Sequence, residues 1–229
     1  MKKIIITGAS GNLGKASVEK FMKEGYKVIT TVTPGKGLGF DVSSDVEIFE
    51  ADLTQEQSVV SVISQIISKH QTVDAALMLV GGYAPGGIKE ADGAVMKKMF
   101  TLNFETAYFV ARPLFQQMLT QTSGGRLVFV GAKPGLYPRD ASKSLAYGLS
   151  KSLIFHLAAA LNESSESKDV TASVIVPSTI DTPVNRQMMP QSDFSAWVKP
   201  EEIADAMVYL CSDEAKAWRG TVLKIYGRS

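Results

Sequence analysis

The chain has 229 residues, 45% of them hydrophobic, with 24 Lys and Arg set against 23 Asp and Glu. That length can bury one substantial core, and near-neutral charge without runs of either sign excludes the electrostatic footprint of a nucleic-acid or anionic-membrane binder, leaving a small-molecule partner as the expectation. One cysteine, Cys211, and two histidines, His70 and His156, exclude an intrachain disulfide and a cysteine-based zinc cage, so no metal is expected.

Lys3–Thr7 is a β-branched run closed by Gly8, and residues 12–24 then place Leu13, Ala16, Val18 and Phe21 on a helical period. The apolar stretch ahead of Thr7 is too short for a signal peptide or a membrane span, so a cytoplasmic protein is expected. The strand–helix alternation repeats. Strands are predicted at Lys27–Val32, Val46–Glu50, 75–80, 126–131, 171–176 and 221–226, with helices at 55–69, 94–120, 141–163 and 201–211. Residues 33–45, holding Pro34, Gly35, Gly37 and Gly39, are too poor in helix formers for a crossover helix and predict an irregular connection. No stretch reads as a linker. The pattern predicts one α/β domain over residues 1–229, a doubly wound, Rossmann-type parallel sheet of about seven strands with helices on both faces.

Thr7-Gly8-Ala9-Ser10-Gly11-Asn12-Leu13-Gly14 lies at the first strand-to-helix junction. Glycines there let the backbone approach a pyrophosphate, while free helical N–H groups and the helix dipole favour its charge. Any tight turn also wants glycine; the position at the first junction is what favours a dinucleotide. Further on, Tyr147 and Lys151 stand four apart in a predicted helix and share a face. Reduction of a carbonyl or imine needs a proton as hydride arrives, and a phenol with pKa about 10 is a poor acid–base group near neutrality. An ammonium about 5 Å away, at an effective dielectric near 20, would favour phenolate by roughly 3 kcal/mol and lower that pKa by about two.

The glycine turn, Asp52-Leu53, Asn103 and Tyr147-Gly148-Leu149-Ser150-Lys151 resemble the short-chain dehydrogenase/reductases. The resemblance implies an NAD(P)-dependent oxidoreductase with Tyr147 as proton donor, Lys151 as its partner and as a ligand of the nicotinamide ribose, and Asn103 organising a water beside the lysine. Asn103 also reads as a satisfied core amide. Gly8, Ser10, Asn12, Leu13 and Gly14 would face the pyrophosphate, with Asn12 standing where the family has glycine and tolerating positive φ. Asp52 and Leu53 would sit beside the adenine, although Asp52 also suits a helix cap. Val80, Gly81 and Gly82 replace the family's Asn-Ala-Gly, and Pro177, Ile180 and Thr182 would receive the nicotinamide amide. At Val32 the family's NAD-users carry an acid; its absence, with Thr31, Thr33 and Lys36 nearby, favours NADP over NAD, although Lys36 also reads as a solvated lysine.

The family's catalytic serine is Ala132 here, and Ser142 or Ser144 could replace it or serve the start of the helix. Gly81-Gly82-Tyr83-Ala84, Gly131-Ala132-Lys133 and the stretch from Asp181-Thr182-Pro183 through Asn185-Arg186 to Trp197 are similar to the dihydropteridine reductase branch, which also lacks that serine. Substrate contacts are expected from Tyr83, which would stack on a flat ring or pack in its loop, from Ala132, and from Met189 in a lid or surface loop over 184–197. Leu145, Leu149, Leu153, Ile154, Leu157, Ala158 and Leu161 form an apolar band wider than one stripe. With the apolar segment around Asn103 it predicts a homodimer or homotetramer, in whose contact His156 would pack. The alternative is a non-catalytic dinucleotide sensor, suggested by Asn12, Leu79 and Ala132 and opposed by the retention of Tyr147, Lys151 and Asn103.

Overall fold

In the computed structural model, described over residues 1–42, 45–165 and 168–228, seven strands form one parallel sheet. They are β1 (Lys3–Thr7), β2 (Lys27–Val32), β3 (Val46–Glu50), β4 (Ala75–Met78), β5 (Gly125–Val130), β6 (Val170–Pro177) and β7 (Val222–Ile225), in the order β3-β2-β1-β4-β5-β6-β7. The order reverses between β1 and β4, and the crevice beyond their carboxyl ends is where such sheets bind ligands. Central strands are buried along nearly their whole length, as a sheet covered on both faces requires.

Helices α1 (Asn12–Lys23) and α9 (Pro200–Cys211) cover one face, closing a core of Ile4, Ile6, Val18, Phe21, Ile203 and Met207. The other face is closed by α2 (Glu56–His70), α4 (Thr106–Thr120) and α7 (Leu145–Ser164) over Ile5, Ile63, Leu114, Phe129 and Ile154. The connection 33–45 is irregular among its described residues, with positive φ at Gly35 and Gly39 and Leu38 buried as its anchor; Ser43 and Ser44 lie outside the described residues.

Three predicted elements differ. The helix expected over 94–120 divides into α3 (Gly93–Phe100), a π-helical turn over Thr101–Glu105, and α4. The turn inserts an extra residue without changing the run of apolar side chains, and Asn103 sits in its middle, buried. The fourth strand stops at Met78 because the backbone beyond it turns to other partners: Leu79 N–H donates to the Thr7 hydroxyl and Gly82 N–H to the Asn103 side chain. The helix expected from 141 starts at Leu145. Pro134 and Pro138 open the short helices α5 (Lys133–Leu136) and α6 (Pro138–Ala141), and Ser144 leaves helical geometry with φ −152°.

Candidate active site

The glycine turn and the β4 loop meet at the crevice. Gly8 takes φ +68°, and a Cβ there would lie 3.1 Å from the Val80 nitrogen. Gly14 allows helix α1 to rest on the turn: a Cβ would lie 2.2 Å from the Gly8 carbonyl oxygen. Asn12 opens α1 in ordinary helical geometry, so positive φ is not needed there. No side chain caps that helix at Gly11, and Ser10 and Asn12 are exposed beside it. The first-turn N–H groups thus face the crevice without a side-chain partner at the cap, which fits a dinucleotide pyrophosphate. A cleft of about 390 Å³ adjoins them, lined by Asn12, Lys15, Asp181, Pro183 and Lys199 among others.

The structure is selective among the residues expected beside an adenine. Leu53 is buried; Asp52 Oδ1 accepts from the Thr54 N–H at 2.9 Å and the Thr54 hydroxyl at 2.7 Å, shaping the turn ahead of α2. Gln55 holds the cap position itself. Val32 is buried in the core, and the Thr31 side chain is buried too, so Thr31 is corrected as a phosphate ligand. Thr33 and Lys36 are exposed.

The chemistry-bearing residues converge around one carboxamide. Asn103 Oδ1 accepts from Gly82 N–H at 2.9 Å, and its Nδ2 donates to the Gly82 carbonyl and to Ser150 Oγ, both at 3.0 Å. Ser150 in turn donates to the Tyr147 carbonyl at 2.8 Å. Gly81 has no room for a side chain, since a Cβ would lie 2.7 Å from Asn103 Oδ1 and 3.3 Å from Lys151 Nζ. Ser150 was not singled out from sequence; a hydroxyl one residue before Lys151 was the available signal.

Tyr147 is half-buried, with Tyr83 edge-on at 5.1 Å between ring centroids. Burial pushes its phenol up to about 12. Lys151 is buried and donates to the Val130 carbonyl at 2.7 Å, and burial lowers its ammonium to about 8. The expected lowering of the phenol is therefore corrected: burial disfavours the charged form of each group and is the largest cause of each shift. Tyr147 stands protonated at neutral pH, the state a proton donor needs.

Ala132, buried two residues beyond β5 at the cap of α5, supplies no hydroxyl. Ser142 does not replace it: Ser142 is exposed and its hydroxyl donates to the Arg139 carbonyl at 2.7 Å. Ser144 is buried just ahead of α7, with its backbone bridged to Gly86. Beyond β6, which ends at Pro177, Ile180 bridges to Val198, and Thr182 caps helix α8 (Pro183–Met188), accepting from Asn185 N–H at 3.2 Å. Met189 follows α8 and is exposed.

The family described as short chain dehydrogenase matches residues 2–193. The chain belongs to that family. This short-chain dehydrogenase is thus an NAD(P)-dependent oxidoreductase. Dihydropteridine reductase of Dictyostelium discoideum is 27% identical to it over 100% of this chain and 96% of its own. Acetoacetyl-CoA reductase of an Acinetobacter species is 26% identical over 99% and 96%. The solved structure "ElxO with NADP Bound" superposes with a TM-score of 0.90 at 21% identity, covering 99% of this chain and 97% of that one, which shows the fold. Among the described residues no helix is long and apolar enough to cross a membrane, and no cluster of His, Cys, Asp and Glu is placed to hold a metal ion.

The buried lysine gives a test. Its pKa falls from 10.5 to about 8 on folding. The folded chain therefore binds fewer protons than the unfolded one across that window, so stability rises with pH there and the full burial cost is present below it. Lys151→Met should stabilise the ligand-free chain by about 1–2 kcal/mol near pH 7, after loss of the bond to Val130, and by less near pH 10. Urea unfolding at both pH values checks this; equal stability of variant and unsubstituted chain near pH 7 contradicts it.

Proposed function

We propose that this short-chain dehydrogenase is an NADPH-preferring reductase of a flat conjugated substrate such as a quinonoid dihydropterin. The carrying observation is the edge-on packing of half-buried Tyr147 on the exposed Tyr83 ring, in a chain that has Ala132 where the family carries its serine. The 27% identity to a dihydropteridine reductase supports the same reading.

The turn at Gly8, Ser10, Asn12, Leu13 and Gly14 holds the pyrophosphate, Val80, Gly81 and Gly82 line the crevice, and Pro177, Ile180 and Thr182 meet the nicotinamide end. Asp52 and Leu53 border the adenine. Val32 offers no carboxylate to oppose a ribose 2′-phosphate, and exposed Thr33 and Lys36 stand ready to receive it. The reduced nicotinamide supplies hydride when bound. Tyr147 donates its phenolic proton to the substrate as negative charge develops there. Lys151, whose ammonium is largely charged at neutral pH with a pKa of about 8, holds the ribose and offsets the phenolate that proton loss leaves. Asn103 sets the Gly82 backbone against the helix that bears both groups.

A ketone concentrates the developing charge on one oxygen, and a missing second donor costs about 2.7–4 kcal/mol. A conjugated ring spreads that charge, so one phenol suffices. Tyr83 stacks on the ring, and Met189 covers it from the lid. The identity to acetoacetyl-CoA reductase favours a second reading, reduction of a 3-oxoacyl thioester.

We further propose that the chain is one cytoplasmic domain that pairs with a second copy through α4 and α7. Between them runs an apolar groove of about 380 Å³ lined by Phe115, Leu119, Leu157 and Leu161 among others, beside the stacked Phe104 and Tyr108. His156 is exposed on the same helix. Sedimentation velocity should find a dimer or tetramer at micromolar concentration; a monomer contradicts it.

The central assay compares substrates and cofactors. NADPH should bind more tightly than NADH by about 1–2 kcal/mol. The kcat/KM for quinonoid dihydropterin should exceed that for simple aliphatic ketones at least about tenfold, near 1.4 kcal/mol. Tyr147→Phe should abolish turnover and leave NADPH affinity nearly intact, since the phenol acts in the transition state. Ketones as good as the pterin overturn the substrate class, and NADH binding more tightly overturns the cofactor preference. NADPH binding without turnover of any pterin, quinone or ketone favours the sensor.

A further inference from the structure

The excursion from Asp181 to Trp197 contains α8, a six-residue helix with no buried residue. Six residues are far below the roughly 12–15 at which an isolated helix becomes even marginal in water. Its apolar side chains do not fix it either, because Val184 and Met188, like Met189 after them, are exposed. Polar contacts hold it. Besides the Thr182 cap, Asn185 Nδ2 donates to the Ile180 carbonyl at 2.8 Å.

Arg186 adds the strongest of these contacts. Its Nε and one terminal nitrogen donate to the two oxygens of Asp181 at 2.6 and 2.8 Å, the forked geometry that guanidinium and carboxylate share. Arg186 thereby holds the Asp181 carboxyl below its ordinary range. The same guanidinium lies 4.8 Å from the centre of the Phe194 ring, and Phe194 packs on buried Trp197 at 4.8 Å. One side chain thus grips both the beginning and the end of the excursion. Its first anchor, Asp181, stands between Ile180 and Thr182.

We propose that Arg186 is a positioning residue, which by clamping Asp181 and Phe194 together sets the 180–182 turn and helix α8 for the nicotinamide end of the cofactor. The inference rests on the cofactor reading given above, and the clamp itself can be measured without any ligand. An exposed ion pair contributes little to global stability. Removing it should loosen the lid and leave the sheet intact.

The chain has two tryptophans, Trp197 and Trp218, so in a Trp218→Phe background the emission reports on the lid. In that background Arg186→Ala should raise acrylamide quenching of Trp197 in the ligand-free chain and weaken NADPH binding about fivefold. Arg186→Lys should recover part of each effect, because one ammonium cannot form the fork. Adding Asp181→Asn to Arg186→Ala should cost nothing more, as expected for two partners in one contact. Unchanged quenching overturns the clamp, and raised quenching with unchanged NADPH affinity overturns the positioning role. If the unsubstituted chain binds no NADPH, the cofactor reading fails first and this role falls with it.

Discussion

A buried carboxamide must find partners for its oxygen and its nitrogen, and at Asn103 that requirement organises the site. Its two polar atoms are spent on the Gly82 backbone and on Ser150, so the loop beyond β4 and the helix bearing Tyr147 and Lys151 are tied at one point. Several local features follow from accommodating it. The π-helical turn carries Asn103 into the interior, and β4 ends early so that Gly82 can reach it. Gly81 forgoes a side chain because the amide oxygen and the Lys151 ammonium occupy that space. Such networks are rigid when fully satisfied, and rigidity is what a proton donor needs to meet a small substrate at hydrogen-bond distance.

Burial also sets the electrostatics. Removing Tyr147 and Lys151 from water favours the neutral form of each, which leaves the phenol protonated and the ammonium close to its titration range. The phenol is thus held protonated and made a weaker acid than a free one. A charge brought close to Lys151 by a ligand would act in a setting of reduced screening, where it counts for more than in water.

Much of this was legible in the sequence. Apolar, β-branched runs alternating with helical periods located the strands because a doubly covered parallel sheet buries both faces, and Thr7 to Gly14 marked the crevice because turn, dipole and close backbone approach coincide there. What escaped depended on tertiary placement. The π-helical turn keeps the apolar pattern of an ordinary helix, so 94–120 read as continuous. Nothing in the sequence around Ser150 shows that Asn103 reaches it from another helix. The spacing of Tyr147 and Lys151 predicts a more acidic phenol, whereas burial opposes the charged form of each group. Arg186 pairs with Asp181 five positions away, outside the three- and four-residue spacing that sequence reasoning scans on a helix, and Thr31, read as a phosphate ligand, turned out to lie inside.

The proposed alignment of the Gly81–Gly82 loop with Tyr147 by the Asn103 carboxamide is tested most directly by single-turnover hydride transfer in Asn103→Leu, saturated with NADPH. Leucine keeps the volume and removes the hydrogen bonds, so Gly82 and Ser150 lose their shared partner. The account predicts transfer slowed at least about tenfold, equivalent to roughly 1.4 kcal/mol of lost alignment, in a chain that still folds and binds NADPH. Transfer within about twofold of the unsubstituted rate, a difference near 0.4 kcal/mol, would contradict it.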